Sequence, residues 1–155
     1  MKDLFFRKAA ESDEQIYLEW ANDAEVRRYS FNQEEISSEK HHQWFQRKIK
    51  QEGVLMLVFF NAEKQLIGQV RIEAGDEVVI GVSVATNFRG KGLSAALISH
   101  ASNEFLRLFP KYVIFAYIKS INISSIRAFE KAGYKFHDEN KTEGFLKYIF
   151  TQENA

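Results

Sequence analysis

The sequence predicts an α+β fold, and three observations carry that prediction. An unbroken apolar run, residues 54–60, is followed by two β-patterned segments at hairpin spacing. Leu93, Leu97, Ala101, Phe105 and Leu108 recur at intervals of four, four, four and three, which places them on one helix face. A strand, a helix and further strands come after that helix, so strands and helices share one chain without strict alternation.

Taken in order, residues 4–8 read as a short strand. Ser12 with Gln15 three positions later has the spacing of a capping box and opens a helix through Ile16 and Trp20. A polar connector over residues 22–33 leads to a second helix starting near Ser37 or Ser38, with Trp44, Phe45 and Ile49 as its apolar stripe. Residues 54–60 then form a strand covered on both faces. Turns at residues 61–64 and at Gly75–Asp76 fold residues 66–73 and 78–84 back as an antiparallel meander. The long helix from Leu93 stops at Pro110, the only proline, and residues 112–118 make another strand. Asn122 suits the N-cap of a helix ending at Lys131 and Ala132, with Gly133 placed for a left-handed C′ position. Residues 134–137 and 145–150 close the chain as two strands.

The 155 residues suit one domain, 1–155, able to bury a core without covalent staples. Lys and Arg number 21, as do Asp and Glu, so the formal charge is zero and a broad polyanion-binding surface is excluded; nucleic acid is not an expected partner. The absence of cysteine excludes disulfides, thiolate metal sites and a cysteine nucleophile. Residues 1–7 lack the apolar region of a signal peptide, and no apolar run approaches the ~20 residues that span a bilayer. The expectation is a soluble cytoplasmic protein with no membrane partner. The histidines, His41, His42, His100 and His137, show no ligand spacing, so no metal is expected.

The most informative stretch runs from Val82 to Leu97. A strand enters a loop with two glycines and two cations, Arg89-Gly90-Lys91-Gly92, and passes straight into the amphipathic helix at Leu93 and Ser94. Free amides and the dipole at a helix start attract an anion, and the glycines let the backbone curl its N–H groups around a phosphate. An ordinary tight turn with solvated cations is the alternative. The spacing is neither the nucleotide P-loop nor the dinucleotide fingerprint.

These residues resemble the GNAT N-acetyltransferases. Their acetyl-CoA signature, [QR]-x-x-G-x-[GA], is met by Arg89-Gly90-Lys91-Gly92-Leu93-Ser94 except at the last position, where serine is small and keeps its amide. A second motif of that family, an asparagine opening a helix that ends in Gly-aromatic, is similar to Asn122 through Gly133-Tyr134. The resemblance implies a mixed sheet of about six or seven strands, helices on both sides, and a V-shaped cleft where the fourth strand, carrying a bulge, splays from the fifth. It implies main-chain contacts from Val82 and Val84 to the pantetheine arm, with the Val84 amide facing the thioester oxygen. Arg89, Gly90, Lys91, Gly92, Leu93 and Ser94 would bind the pyrophosphate of acetyl-CoA, and Asn122 and Phe129 would line the pantetheine end. Many relatives carry a proton-donating tyrosine where this chain has Phe129, so the thiolate would leave unassisted or be protonated by another group. Tyr117 and Tyr134 are expected to be structural. Direct attack of an amine on the thioester agrees with the missing cysteine.

On the acceptor side, period-two geometry sends Gln69, Arg71 and Glu73 to one face of their strand and Val70 and Ile72 to the other. A solvated sheet face is one reading. The other makes Glu73 the base, directly or through water, with Gln69 or Arg71 holding the acceptor and Ser83 as a competing relay. Residues 20–31, with Ile36, His41, Trp44 and Phe45 and the Gly68–Arg71 run, are similar to the branch that acetylates nucleotide-linked amino sugars, as in pseudaminic acid synthesis. That likeness places Asn22, Arg27, Ser30 and His41 around the acceptor. His41 and His42 as an exposed pair, and Trp20 and Trp44 as core, are the plainer readings. The expected activity is acetyl transfer to a small-molecule amine, of the nucleotide-sugar type. Acetylation of protein N-termini and non-catalytic acyl-CoA sensing are the alternatives. A homodimer is common in the family.

Overall fold

The apolar run is a strand buried between edge and centre of the sheet in the computed structural model, which describes residues 3–154 and so leaves residues 1, 2 and 155, including the first two residues of the segment expected to lack a signal peptide, outside it. The strands are β1 (Phe5–Lys8), β2 (Val54–Phe60), β3 (Leu66–Ala74), β4 (Val78–Val84), β5 (Ile114–Lys119), β6 (Lys135–Asn140) and β7 (Phe145–Phe150). The helices are α1 (Glu14–Ala21), α2 (Ala24–Tyr29), α3 (Ser38–Lys50), α4 (Leu93–Leu108) and α5 (Ile123–Lys131). One seven-stranded sheet has the order β1-β2-β3-β4-β5-β7-β6, and β4–β5 is its parallel pair. The expected meander is present, with Leu57 opposite Val70 and Val70 opposite Val82.

Alternation along the strands builds two cores. Leu55, Leu57, Phe59, Val70, Ile72, Ile80, Ile114 and Ala116 face α4 and α5 and pack on Leu97, Ala101 and Phe105. Met56 and Val58 face the other way and pack with Tyr17, Trp20 and Phe45 of α1 and α3. Full burial of each such side chain contributes roughly 1.5–3 kcal/mol before conformational entropy is set against it. The face shared by Met56 and Val58 continues through Gln69, Arg71 and Glu73, then Ser83, Gly81 and Val79, then Phe115 and Tyr117. That face carries the polar groups.

Several local expectations are corrected. Ser12 does not cap α1. Asp13 instead accepts the Ala10 amide at 2.7 Å and both Arg7 guanidinium nitrogens at 2.7 and 2.9 Å. The polar connector contains α2, whose N-cap Asp23 accepts the Glu25 and Val26 amides; it has no buried residue, so hydrophobic periodicity could not reveal it. The start expected near Ser37 or Ser38 holds: Ser37 caps α3 through the Lys40 amide, and the helix begins at Ser38. Leu108, at 40% exposure, lies off the buried stripe of α4. β5 begins at Ile114, where its pairing with Phe150 of β7 starts, and β6 runs from Lys135 to Asn140. The β3–β4 register is continuous, so β4 carries no bulge; the shift lies between Phe59 and Phe60 of β2.

Candidate active site

The site begins where two strands part. β4 and β5 pair only as Val78 with Ile114 and Val79 with Phe115; beyond that, Ile80–Val84 pairs with β3 alone and Ala116–Lys119 with β7 alone. The Ala85 amide donates to Ile67 on the β3 side at 2.7 Å, so strand alternation turns the Val82 and Val84 main-chain groups toward the opened gap. A cleft of about 1290 Å³ fills this gap and extends beneath α2 and α3. The expected V-shaped opening therefore arises from lost pairing, without a bulge.

At the mouth of the gap, Gly90 and Gly92 adopt left-handed φ of 75° and 72°, and a Cβ on either would meet nothing within 4 Å. Their requirement is conformational and not one of space. Gly92 is the N-cap of α4, so the amides of Leu93, Ser94 and Ala95 open the helix without intrahelical partners beside the cleft. Arg89 is engaged: Nη2 lies 2.9 Å from Asp23 Oδ1, Nη1 lies 3.2 Å from Glu25 Oε2, and Nε donates to the Val84 carbonyl at 3.0 Å. Lys91 is exposed, sits 5.4 Å from the Phe88 ring centre and does not line the cleft. Asn122 lines it while its Oδ1 caps α5 through the Ser125 amide, and Phe129, 4% exposed, packs edge-on to Tyr134.

The opposite wall is polar. Gln69 Nε2 donates to Ser83 Oγ at 2.9 Å across the β3–β4 ladder. Glu73 has each oxygen on a cation, Lys48 Nζ and Arg71 Nε, both at 3.1 Å. The Arg71 guanidinium lies 5.6 Å from the Trp44 ring centre, so Trp44, unlike buried Trp20, lines the cleft. Arg27 donates to the carbonyls of Asn32 and Glu34 and to Ser30 Oγ, and Ser30 in turn donates to Val26. Burial, and then the charge of Arg71, lower the Arg27 pKa. His41 is buried, and its pKa is lowered by desolvation against the opposing pull of Glu14, so its imidazole is neutral at pH 7; His42 is exposed and pairs with Glu14.

Among the described residues, three buried side-chain polar atoms have no partner: Arg27 Nε, His41 Nδ1 and Gln69 Oε1. All three belong to residues that line this cleft. Unsatisfied buried polar groups are costly and rare, and their concentration at one place marks a site kept for ligand chemistry.

The structure brings Glu73, Ser83, Val82, Val84, Arg89, Gly90, Gly92, Leu93, Ser94, Asn122, Phe129, Arg27, Ser30, His41, Gln69 and Arg71 to one cleft. It does not bring Asn22 or Lys91 there. Asn22 instead exchanges two hydrogen bonds with the Ile36 main chain, at 2.8 and 2.7 Å, and shapes the connector. Tyr134 bonds Ser102 and does not line the cleft, whereas Tyr117 lines it with its hydroxyl donated to Glu77. Sequence reasoning missed Phe31, Lys40, Phe145, Ser125, Arg127 and Lys131, which also line the cleft. Only the last three carried a signal, since they lie on the cleft side of the helix opened by Asn122. Among the described residues no group of three or more His, Asp or Glu is placed to hold a metal ion, and no helix is long and apolar enough to cross a membrane.

The architecture is shared with known structures. Spermidine N-acetyltransferase from Vibrio cholerae in complex with CoA and spermine superposes with a TM-score of 0.86 at 16% identity, covering 99% of this chain and 98% of that one. A domain from Methanocaldococcus jannaschii gives 0.81 at 20% identity, over 95% and 97%. The dodecameric Vibrio cholerae spermidine N-acetyltransferase in an intermediate state gives 0.78 at 18% identity, over 99% and 96%. At these identities the likeness shows the fold alone. No curated protein matches the chain significantly. Residues 3–135, most of the chain, match the family described as the acetyltransferase (GNAT) domain. With that match, the parted β4–β5 pair and the glycine loop fall into place: the chain belongs to the GNAT family and is an acyltransferase.

Proposed function

We propose that this acetyltransferase moves the acetyl group of acetyl-CoA to a primary amine on an acceptor that also carries an anion, with a nucleotide-linked amino sugar as the class that fits. The charge of the acceptor wall carries this reading. Arg27 has carbonyl and hydroxyl partners but no carboxylate, and Arg71 and Lys40 stand on the same cleft. The acidic residues lining the cleft among those described, Glu25 and Glu73, are already paired, Glu25 with Arg89 and Glu73 with Lys48 and Arg71. A polycation such as the spermine bound by the Vibrio neighbour would meet fixed positive charge here, whereas phosphate would meet a guanidinium with no carboxylate partner.

Acetyl-CoA, when bound, supplies an acyl carbonyl activated as a thioester. The main-chain groups of Val82 and the amide of Val84, which face the gap without a β5 partner, suit a pantetheine arm, and the amides of Gly90, Gly92, Leu93 and Ser94 suit its pyrophosphate. The Val84 N–H is set for the oxygen on which charge develops, a contribution of about 10²–10³ in rate. The amine forms the new N–C bond as the C–S bond breaks, and the amine proton passes to solvent. Glu73, with both oxygens on cations, serves to hold Arg71. Ser83 accepts from Gln69 and keeps its own proton to donate, which makes it the relay on this wall. With Phe129 unable to donate, the thiolate leaves unassisted, as a thiol with a pKa near ~8.5 permits.

Thiol release from acetyl-CoA against a panel of a UDP-4-amino-sugar, spermidine and an N-terminal peptide tests this. Turnover of the nucleotide sugar alone is expected. Preference for spermidine or the peptide overturns the acceptor reading, and coenzyme binding without turnover points to a sensor.

A further inference from the structure

We propose that Arg89 is a positioning residue that fastens the acceptor helix α2 to the coenzyme loop, in place of serving as a pyrophosphate ligand. The inference rests on reading the β4–β5 gap as the coenzyme channel, and three observations support it.

The first is how fully Arg89 is used. Its Nη2 and Nη1 hold Asp23 and Glu25 at 2.9 and 3.2 Å, and its Nε holds the Val84 carbonyl at 3.0 Å. One guanidinium between two carboxylates leaves the cluster with an excess negative charge. A diphosphate drawn to Arg89 would face that charge, while the glycine loop and the start of α4 offer amides free of it.

The second is the weakness of α2 on its own. Its six residues bury none of their number, and a helix this short is marginal without tertiary support. Its support is polar. Asp23 caps it through the Glu25 and Val26 amides, and the same carboxylate accepts from Thr86 Oγ1 at 3.2 Å and from Arg89. Burial opposes the Asp23 charge, but the hydrogen bonds from Arg89 and the Val26 amide outweigh it and its pKa falls.

The third is what α2 carries. Arg27, the cation of the acceptor wall with no carboxylate partner, projects from it and holds the following connector through Asn32 and Glu34. Arg89 thus ties the acceptor wall to the Val84 peptide that faces the coenzyme.

Arg89→Ala, Arg89→Lys and Asp23→Asn test this by calorimetric titration of coenzyme A, steady-state kinetics and amide exchange over residues 24–29. Arg89→Ala is expected to leave coenzyme affinity within about threefold, raise acceptor KM about tenfold and speed exchange over α2. Asp23→Asn should do the same, the double variant should add little, and Arg89→Lys should recover part of the loss. A tenfold weaker coenzyme affinity in Arg89→Ala with acceptor KM unchanged overturns the proposal. So does tighter coenzyme binding in Asp23→Asn, the sign of a released pyrophosphate ligand. Wild-type protein that binds no coenzyme would sink the acetyl-CoA reading separately. Unchanged exchange over α2 in Arg89→Ala overturns the clamp in either case.

Discussion

Gln69 donates from Nε2 to the Ser83 hydroxyl at 2.9 Å, and this cross-strand bond leaves Gln69 Oε1 buried and without a partner at the wall of the cleft. A buried carbonyl oxygen that is not hydrogen-bonded costs about 1–3 kcal/mol. The residue is 4% exposed between Val58 and Ser83 across the sheet, so folding alone favours a side chain that leaves no buried oxygen unbonded. Gln69→Leu is therefore expected to raise unfolding stability by up to about 1 kcal/mol while lowering kcat/KM for the acceptor about tenfold. Chemical denaturation and steady-state kinetics on the same preparation read both effects. A variant that is both less stable and fully active would remove Gln69 from the site.

His41 gives a pH dependence whose sign is fixed. Its pKa is lowered from the ordinary 6.5, desolvation being the main cause and the Arg71 and His42 charges adding to it against Glu14. The unfolded chain then binds a proton that the folded chain refuses, so the stability contributed by neutral His41 is complete above about pH 6.5 and is lost as pH falls through the lowered value. His41→Gln cannot titrate. The difference in unfolding free energy between wild type and His41→Gln should shrink or reverse between pH 7.5 and 5, with thermal denaturation across that range as the readout. A difference independent of pH would show that His41 is not held neutral by burial.

The glycine loop separates conformational need from steric need. At Gly92 φ is 72° with open space where a Cβ would go, so Gly92→Ala is penalised only by its backbone, by roughly 1–2 kcal/mol. Asparagine tolerates this region better. The expected order of coenzyme affinity is Gly92, then Gly92→Asn, then Gly92→Ala, measured by calorimetry. Equal affinities across the three would mean that the left-handed turn is not what presents the loop amides.

What the sequence revealed, and what it hid, follows from where the stabilising interactions lie. Apolar periodicity at Leu93, Leu97, Ala101 and Phe105 reports a buried face, and that face is buried. The run at 54–60 reads as a two-sided strand because both faces do meet helices. α2 has no apolar stripe to report, being held by Asp23, Thr86 and Arg89, partners more than sixty residues away from one another in part. Lys91 matches the loop pattern yet faces outward, since a signature records spacing and not rotamer. Asn22 has the polarity of a ligand but spends it on Ile36. Trp44 shares a stripe with core residues, and its half-buried place on the cleft, with the Arg71 guanidinium over its ring, separates it from Trp20.

Phe129 is where this chain departs from the tyrosine that many relatives use, and the departure sets a test of how the thiolate leaves. Phe129 lines the cleft, 4% exposed, with its ring 5.0 Å from that of Tyr134 and nearly perpendicular to it. The nearby tyrosines do not stand in for it, because Tyr134 bonds Ser102 inside the core and Tyr117 is committed to Glu77. If departure of a thiolate with a pKa near ~8.5 limits turnover, a restored phenol should accelerate it; if attack by the amine limits turnover, the phenol has nothing to assist. On the proposed reading Gln69 and Arg71 hold the acceptor, and attack is then the step that this cleft controls. Phe129→Tyr is accordingly expected to keep kcat within about twofold from pH 6.5 to 8.5, with no new limb in the pH profile. A rise of tenfold or more would show that protonation of the thiolate is limiting in the native enzyme.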